Sequence, residues 1–249
     1  MLKFNNVSYS YTKNKLVLDN VSFNVNDNEI AVLLAPNGTG KTTCLKLITS
    51  ILKPNSGDIL YNDESILDMK DIERSKLISY VSQETISLSL SVYEIIMLGR
   101  SPYYKFTETK EDIEIVENII KELGLSEIAF RDFDTLSGGE RQIVMIGRAL
   151  AQSPRILIFD EPTSNLDIKN QILIGNVIKK ISKEKNVSVI ISTHDINLAL
   201  NTGDKFIMFK DKTIKYKGGS SIITKESIKD IFDSDVEIKT IDDKKVIIY

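Results

Sequence analysis

Five consecutive apolar residues, Ile30-Ala31-Val32-Leu33-Leu34, run into a loop with two glycines and then an apolar-periodic helix. A strand that is apolar at every position leaves no face for water, so it belongs inside a parallel sheet covered on both sides. The helix is expected from about Lys41 to Leu52, stopped by Pro54, which cannot continue it. Strand, tight loop and helix in that order commit the chain to an α/β core. At 249 residues it is long enough to bury a substantial one.

The same reasoning places the other elements. Val7 to Tyr11, Val17 to Val25, Gly57 to Tyr61 and Leu77 to Val81 read as strands, and Lys13-Asn14-Lys15 and Asn26-Asp27-Asn28 as turns. From about Glu84 to Gln152 the pattern becomes mainly helical. There Ile113, Val116, Ile120 and Leu123 recur at helical spacing behind a cap formed by Thr109 and Asp112. Strands return at Ile156 to Phe159 and Val187 to Ser192. Between them Ile168, Ile172, Leu173, Val177 and Ile181 read as the core stripe of a helix. The tail from Lys205 carries two short strands, a capped helix near Thr224 and a β-rich end, Val246-Ile247-Ile248-Tyr249. The layout is an α/β core (about 1–83 and 153–249) interrupted by a helical insertion (about 84–152).

Composition excludes several functions. Basic and acidic residues number 32 and 35, a net charge of -3 without any basic block, which disfavours a nucleic-acid surface. A single cysteine, Cys44, permits no internal disulfide and fits a reducing compartment. The start, Met1-Leu2-Lys3-Phe4-Asn5-Asn6, lacks a secretory pattern, and no stretch approaches the ~20 apolar residues of a spanning helix. Work at a membrane would require another polypeptide to hold the chain there.

Three segments carry chemistry. In Ala35-Pro36-Asn37-Gly38-Thr39-Gly40-Lys41-Thr42-Thr43, the glycines let backbone N–H groups turn toward anionic oxygens at the positive end of the helix. Lys41 is placed for β- and γ-phosphates and the Thr42 hydroxyl for Mg²⁺. Ala35 stands where many such loops begin with glycine. Asp160 closes the strand Ile156 to Phe159, a position suited to Mg²⁺, and Glu161 follows as a candidate base for the attacking water. A solvated acidic turn before Pro162 is the bland alternative. The third segment, Leu136-Ser137-Gly138-Gly139-Glu140-Arg141-Gln142, opens a helix with a serine and two glycines, a second phosphate-ready surface. One chain has only one nucleotide loop, so two copies pairing head to tail would give this segment its task.

Together, in this order and spacing, the three segments resemble ATP-binding-cassette (ABC) ATPases over nearly the whole chain. The resemblance implies a P-loop NTPase fold with an N-terminal antiparallel β subdomain, ATP and Mg²⁺ as ligands, and hydrolysis in a head-to-tail dimer. It assigns Ser137 and Gly139, beside Gly138, to the γ-phosphate held by the opposite subunit. Gln83 is similar to the family's metal- and water-sensing glutamine, and His194, the one histidine, to its switch histidine. Asp167 matches the loop that couples the two sites and also suits a helix N-cap. Tyr11 resembles the adenine-stacking aromatic, with Tyr9 as the competing choice.

Within the family, Ser91 to Tyr103, with its Gly99-Arg100-Ser101-Pro102 turn, resembles importers of iron–siderophore complexes, haem or cobalamin. A helix-ending turn is the structural alternative for that segment. The importer reading implies a peripheral position on the cytoplasmic side of the membrane, beneath a separate permease, and indirectly an extracellular substrate-binding protein. An exporter, another importer, or an ABC ATPase of DNA repair or translation remain alternatives. No coiled coil, second cassette or Asn-Lys-x-Asp guanine motif favours those last two classes or a GTPase.

Overall fold

The computed structural model describes residues 1–13, 15–83, 87, 89–104, 107–164, 166–241 and 244–248. Asn14 of the first expected turn, Glu84 at the start of the insertion and the terminal Tyr249 lie outside them.

The chain opens with β1 (Leu2–Ser10), β2 (Leu16–Val25), β3 (Ile30–Leu34), α1 (Lys41–Ile48), β4 (Ser56–Tyr61), β5 (Glu64–Ser65), α2 (Asp71–Leu77) and β6 (Ile78–Val81). The insertion holds α3 (Val92–Leu98), α4 (Lys110–Glu122) and α5 (Gly138–Ala151). The rest comprises β7 (Ile156–Asp160), α6 (Ile168–Lys185), β8 (Ser188–Thr193), α7 (Ile196–Thr202), β9 (Lys205–Lys210), β10 (Thr213–Gly218), α8 (Lys225–Phe232), β11 (Glu237–Ile241) and β12 (Lys244–Ile248). Short 3₁₀ turns punctuate the connections.

Six strands form the central sheet in the order β10-β9-β3-β8-β7-β6, parallel except for the edge strand β10. β2-β1-β4-β5 form a separate antiparallel sheet. Alternation along β3 explains why every position had to be apolar. Ile30, Val32 and Leu34 face one hydrophobic cluster, shared with α5, α6 and the insertion. Ala31 and Leu33 face the other, shared with α1 and the antiparallel sheet. The described residues of the insertion therefore join the core on the sheet's first face.

Local chemistry sets the helix boundaries. Thr109 and Asp112 form the expected capping box of α4, and Thr224 with Ser227 forms one at α8. α1 ends at Ile48, short of Pro54, because Ser50 takes a left-handed φ of 57° and breaks the helical path. α2 buries no residue and so leaves no periodic signature in the sequence. Of the expected core stripe of α6, Val177 and Ile181 pack into the core, and the rest requires correction. Ile168, Ile172 and Leu173 are exposed, and the buried face is Ile174, Ile178 and Ile181. At about 100° per residue, Ile168 and Ile172 point to a face different from that of Ile174, Ile178 and Ile181, so the helix carries two apolar faces and only the packing partner decides which is buried.

The Gly99-Arg100 turn has a structural task. A Cβ on Gly99 would fall onto the Arg148 carbonyl oxygen, so glycine lets α3 end directly against α5. Arg100 is buried and donates to Asp112 Oδ1 at 2.8 Å, to the Ala151 carbonyl at 2.7 Å and to Ser153 Oγ at 3.1 Å. Its guanidinium lies 3.8 Å from the centre of the Tyr103 ring. Burial pushes the Asp112 carboxyl up, yet hydrogen bonds from Thr109 and Arg100 outweigh it and hold it below the ordinary aspartate value. Arg100→Leu strands that carboxylate and is expected to destabilise the fold by about 3–5 kcal/mol in denaturant titrations at neutral pH. Because the folded value lies below the unfolded one, the stability Asp112 contributes is whole above about pH 4 and is lost as pH falls through the folded value. The cost of Arg100→Leu should shrink over that acid range.

Candidate active site

The parallel order β3-β8-β7-β6 brings the carboxyl ends of four strands side by side, where α/β sheets place their ligands. Each end carries one of the segments expected at the site: β3 the glycine loop, β8 His194, β7 Asp160 and Glu161, β6 Gln83. The strand register sets Asp160 opposite Ser192 and Leu34 opposite Thr193.

The loop after β3 is built for anions. Gly38 and Gly40 have φ of 81° and 105°, conformations that suit glycine. Gly40 caps α1 without any side chain, so the first N–H groups of that helix have no capping acceptor. Thr39 Oγ1 donates to the Pro36 carbonyl at 2.9 Å and braces the turn. Lys41 is buried and donates to the carbonyls of Ala35 at 2.7 Å and Pro36 at 3.2 Å. Its ammonium also lies 3.4 Å from Glu161 Oε1. Burial holds Lys41 below the ordinary lysine value, and the charges of Glu161 and Asp160 partly offset that.

Asp160 is buried and accepts three hydroxyls. Thr42 Oγ1 and Ser192 Oγ reach Oδ1 at 3.1 Å and 2.5 Å, and Tyr80 reaches Oδ2 at 3.0 Å. Glu161 takes a left-handed φ of 47°, a conformation that costs a non-glycine residue about 1–3 kcal/mol. Its N–H is held by the Ser192 carbonyl at 3.1 Å and Ser192 Oγ at 3.0 Å. The carboxylate spans Lys41 and His194, whose Nδ1 is 3.2 Å from Oε2. His194 is half exposed, and the next residue, Asp195, caps α7 through the Leu198 N–H.

An open cleft of about 340 Å³ lies in front of these groups. Tyr11, Lys15, Val17, Asn37, Gly38, Gly40, Lys41, Thr42, Thr43, Gln83 and Glu161 line it. Tyr11 is half exposed, and its hydroxyl is 3.1 Å from Thr43 Oγ1. Tyr9 is buried beneath it, edge-on at 5.1 Å between ring centres.

The remaining expected site residues lie elsewhere. Ser137 caps α5 in a box with Glu140, accepting the Glu140 N–H at 3.4 Å and donating to Glu140 Oε2 at 2.7 Å. Gly138 and Gly139 face Leu166 and Asn170, and a Cβ on Gly139 would collide with the Asn170 amide. Asp167 caps α6, accepting the Asn170 N–H at 2.8 Å. Among the described residues that line the cleft, none comes from Leu136 to Gln142 or from Asp167.

The ABC transporter family profile matches residues 18–164. The chain belongs to the ABC transporter family. It is 41% identical to an uncharacterized ABC transporter ATP-binding protein of Methanocaldococcus jannaschii, over 97% of this chain and 94% of the relative. A Helicobacter pylori protein named a probable iron chelatin transport ATP-binding protein is 35% identical, over 99% and 98%. Among solved structures, a metal-chelate type ABC transporter in an inward-facing conformation superposes with a TM-score of 0.86 and 26% identity, covering 100% of this chain and 97% of that one. The fold is that of an ABC ATPase, and the enzyme is an ATPase that binds adenine nucleotides.

Sequence reasoning missed four residues of this ABC ATPase site. Lys15 and Val17 line the cleft from the turn before β2 and the start of that strand, where nothing in the local pattern marks them. Ser192 and Tyr80 reach Asp160 from the two strands flanking β7. Only the strand order, which alternation does not encode, reveals that contact. Tyr11 and Tyr9, equivalent in sequence, separate by experiment. Tyr11→Ala should weaken ATP binding by about 1–3 kcal/mol, the worth of one base–aromatic stack, with an unchanged melting temperature. Tyr9→Ala should chiefly destabilise the fold by about 3 kcal/mol or more, as buried aromatic truncations do.

Proposed function

We propose that two copies of this ABC ATPase pair head to tail, each completing the other's ATP site, and power import of a metal chelate through a separate permease. The observation that carries the pairing is that the two phosphate-ready surfaces do not share a cleft. The helix start at Ser137, Gly138 and Gly139 contributes nothing to the cleft of its own chain. Members of this family dimerise and work with membrane components, and a helix N-terminus facing a partner's γ-phosphate has the right polarity. Among the described residues no helix is long and apolar enough to cross a membrane. The permease would therefore hold the subunit, on the cytoplasmic side. The iron chelatin relative and the metal-chelate structural neighbour support the cargo class, iron–siderophore, haem or cobalamin. That class also implies an extracellular binding protein. An ABC ATPase of another transporter is the alternative.

In this reading the core (about 1–83 and 153–249) binds nucleotide, and the insertion (about 84–152) meets the permease. Tyr11 stacks on adenine, and the backbone from Pro36 to Thr43 cradles the phosphates. Lys41 neutralises β- and γ-oxygens. Thr42 and Asp160, with Gln83, offer the hard oxygen donors that Mg²⁺ prefers. Among the described residues no cluster of three or more His, Cys, Asp or Glu could hold a metal alone, which suits an ion completed by the substrate's own phosphates. Bound Mg²⁺ supplies charge neutralisation at the transferring phosphoryl group. Glu161 takes the proton of the attacking water, and His194 orients the Glu161 carboxylate and the γ-phosphate. Asp167 couples the two sites across the dimer.

Glu161→Gln should cut turnover about 10²–10⁴-fold, the worth of one general base, while ATP still binds. Light scattering should then show an ATP-dependent dimer. Wild-type turnover in that variant would remove Glu161 from the base role. Shared catalysis has its own test. Lys41→Ala and Ser137→Arg should each be inactive alone. Mixing them should restore about a quarter of wild-type turnover, because half of randomly formed dimers hold one intact composite site of two. No recovery on mixing would sink the head-to-tail arrangement.

A further inference from the structure

Asp160 and Glu161 are adjacent in sequence yet project differently, and a single hydroxyl touches the machinery of both. Ser192 Oγ donates its one proton to Asp160 Oδ1 at 2.5 Å. With that proton committed, a lone pair remains, and it accepts the Glu161 N–H at 3.0 Å. The hydrogen bonds run in one direction, Glu161 N–H to Ser192 O–H to Asp160 carboxylate, so each polarises the next. Ser192 is fully buried, and its backbone pairs in register with Asp160, so the hydroxyl has no freedom to serve only one neighbour. Tyr80 donates to the other carboxylate oxygen, Asp160 Oδ2, from the opposite flank of β7.

We propose that Ser192 is a positioning residue for hydrolysis, fixing the metal-binding carboxylate and the general base with one hydroxyl. The proposal rests on the roles assigned above to Asp160 and Glu161. Removing the oxygen leaves Asp160 Oδ1 with Thr42 alone, the same hydroxyl that Mg²⁺ would recruit. It also leaves the left-handed Glu161 held by the Ser192 carbonyl only. That surviving backbone bond keeps the turn folded in Ser192→Ala, so a catalytic defect can be read apart from unfolding. Outer partners of metal ligands typically contribute about 10- to 100-fold in metal affinity or activity.

The test measures ATPase rate against Mg²⁺ concentration at saturating ATP. It adds binding of a fluorescent ATP analogue with and without Mg²⁺, and thermal unfolding. Ser192→Ala should raise the Mg²⁺ needed for half-maximal rate and, even at saturating Mg²⁺, lower kcat, each by about 10- to 100-fold. The KM for ATP and metal-free analogue binding should stay near wild type, while the Mg²⁺-dependent gain in analogue binding should fall. Melting temperature should fall by no more than about 10 °C and leave the enzyme folded at the assay temperature. Ser192→Thr, which keeps the hydroxyl, should retain wild-type Mg²⁺ dependence. An Ser192→Ala enzyme with unchanged kcat and Mg²⁺ requirement overturns the proposal. So does a rate loss that tracks a fall in melting temperature and is shared by Ser192→Thr. Failure of the base assignment itself would show separately, as wild-type turnover in Glu161→Gln.

Discussion

The carboxylate of Asp160 holds this site together. One buried side chain gathers hydroxyls from the first turn of α1, from β8 and from β6, so the ends of three neighbouring segments meet at a single charge. A buried anion is tolerated only when its oxygens are well supplied with donors. Thr42, Ser192 and Tyr80 meet that demand with neutral groups. The ammonium of Lys41 is therefore left to Glu161 and the loop carbonyls. The geometry of the glycine loop, Glu161 and Asp160 is thus set by solvation of one buried carboxylate, and the sheet supplies the rigidity around it.

The placement of the glycine loop and of the strand-end carboxylates was legible in the sequence because it is local. Gly38, Gly40, Lys41 and Thr42 are consecutive or nearly so, and each answers a demand that a strand–loop–helix turn makes by itself. Asp160 and Glu161 were readable for the same reason, at the end of an unbroken apolar strand. Ser192 and Tyr80 were not, since their roles depend on which strands lie beside β7. Strand order is a property of the whole sheet.

Helix faces failed for a related reason. In α6 the isoleucines at 168 and 172 and those at 174, 178 and 181 offer two apolar faces, and only α7 and the sheet choose between them. The Gly99-Arg100 turn illustrates a different limit. Its residues look like a family signature, and the packing explains them without a ligand: a close approach of α3 to α5 and a buried ion pair with Asp112. A distinctive motif marks a constraint, and the constraint here is architectural.

The path of α5 through the molecule has a mechanical consequence. Its first residues form the surface assigned to the partner's nucleotide, and about 21 Å away, at 1.5 Å per residue, it ends at Ala151. Five residues later the chain enters β7, the strand that terminates in Asp160. Helix and strand are thus joined in series like a rod and its socket, with Arg100 pinned across the joint through the Ala151 carbonyl and Ser153. Under the proposed head-to-tail pairing, a push delivered at Ser137 would travel down this linkage toward the subunit's own reaction centre, and the timing of one hydrolytic event would be tied to the other.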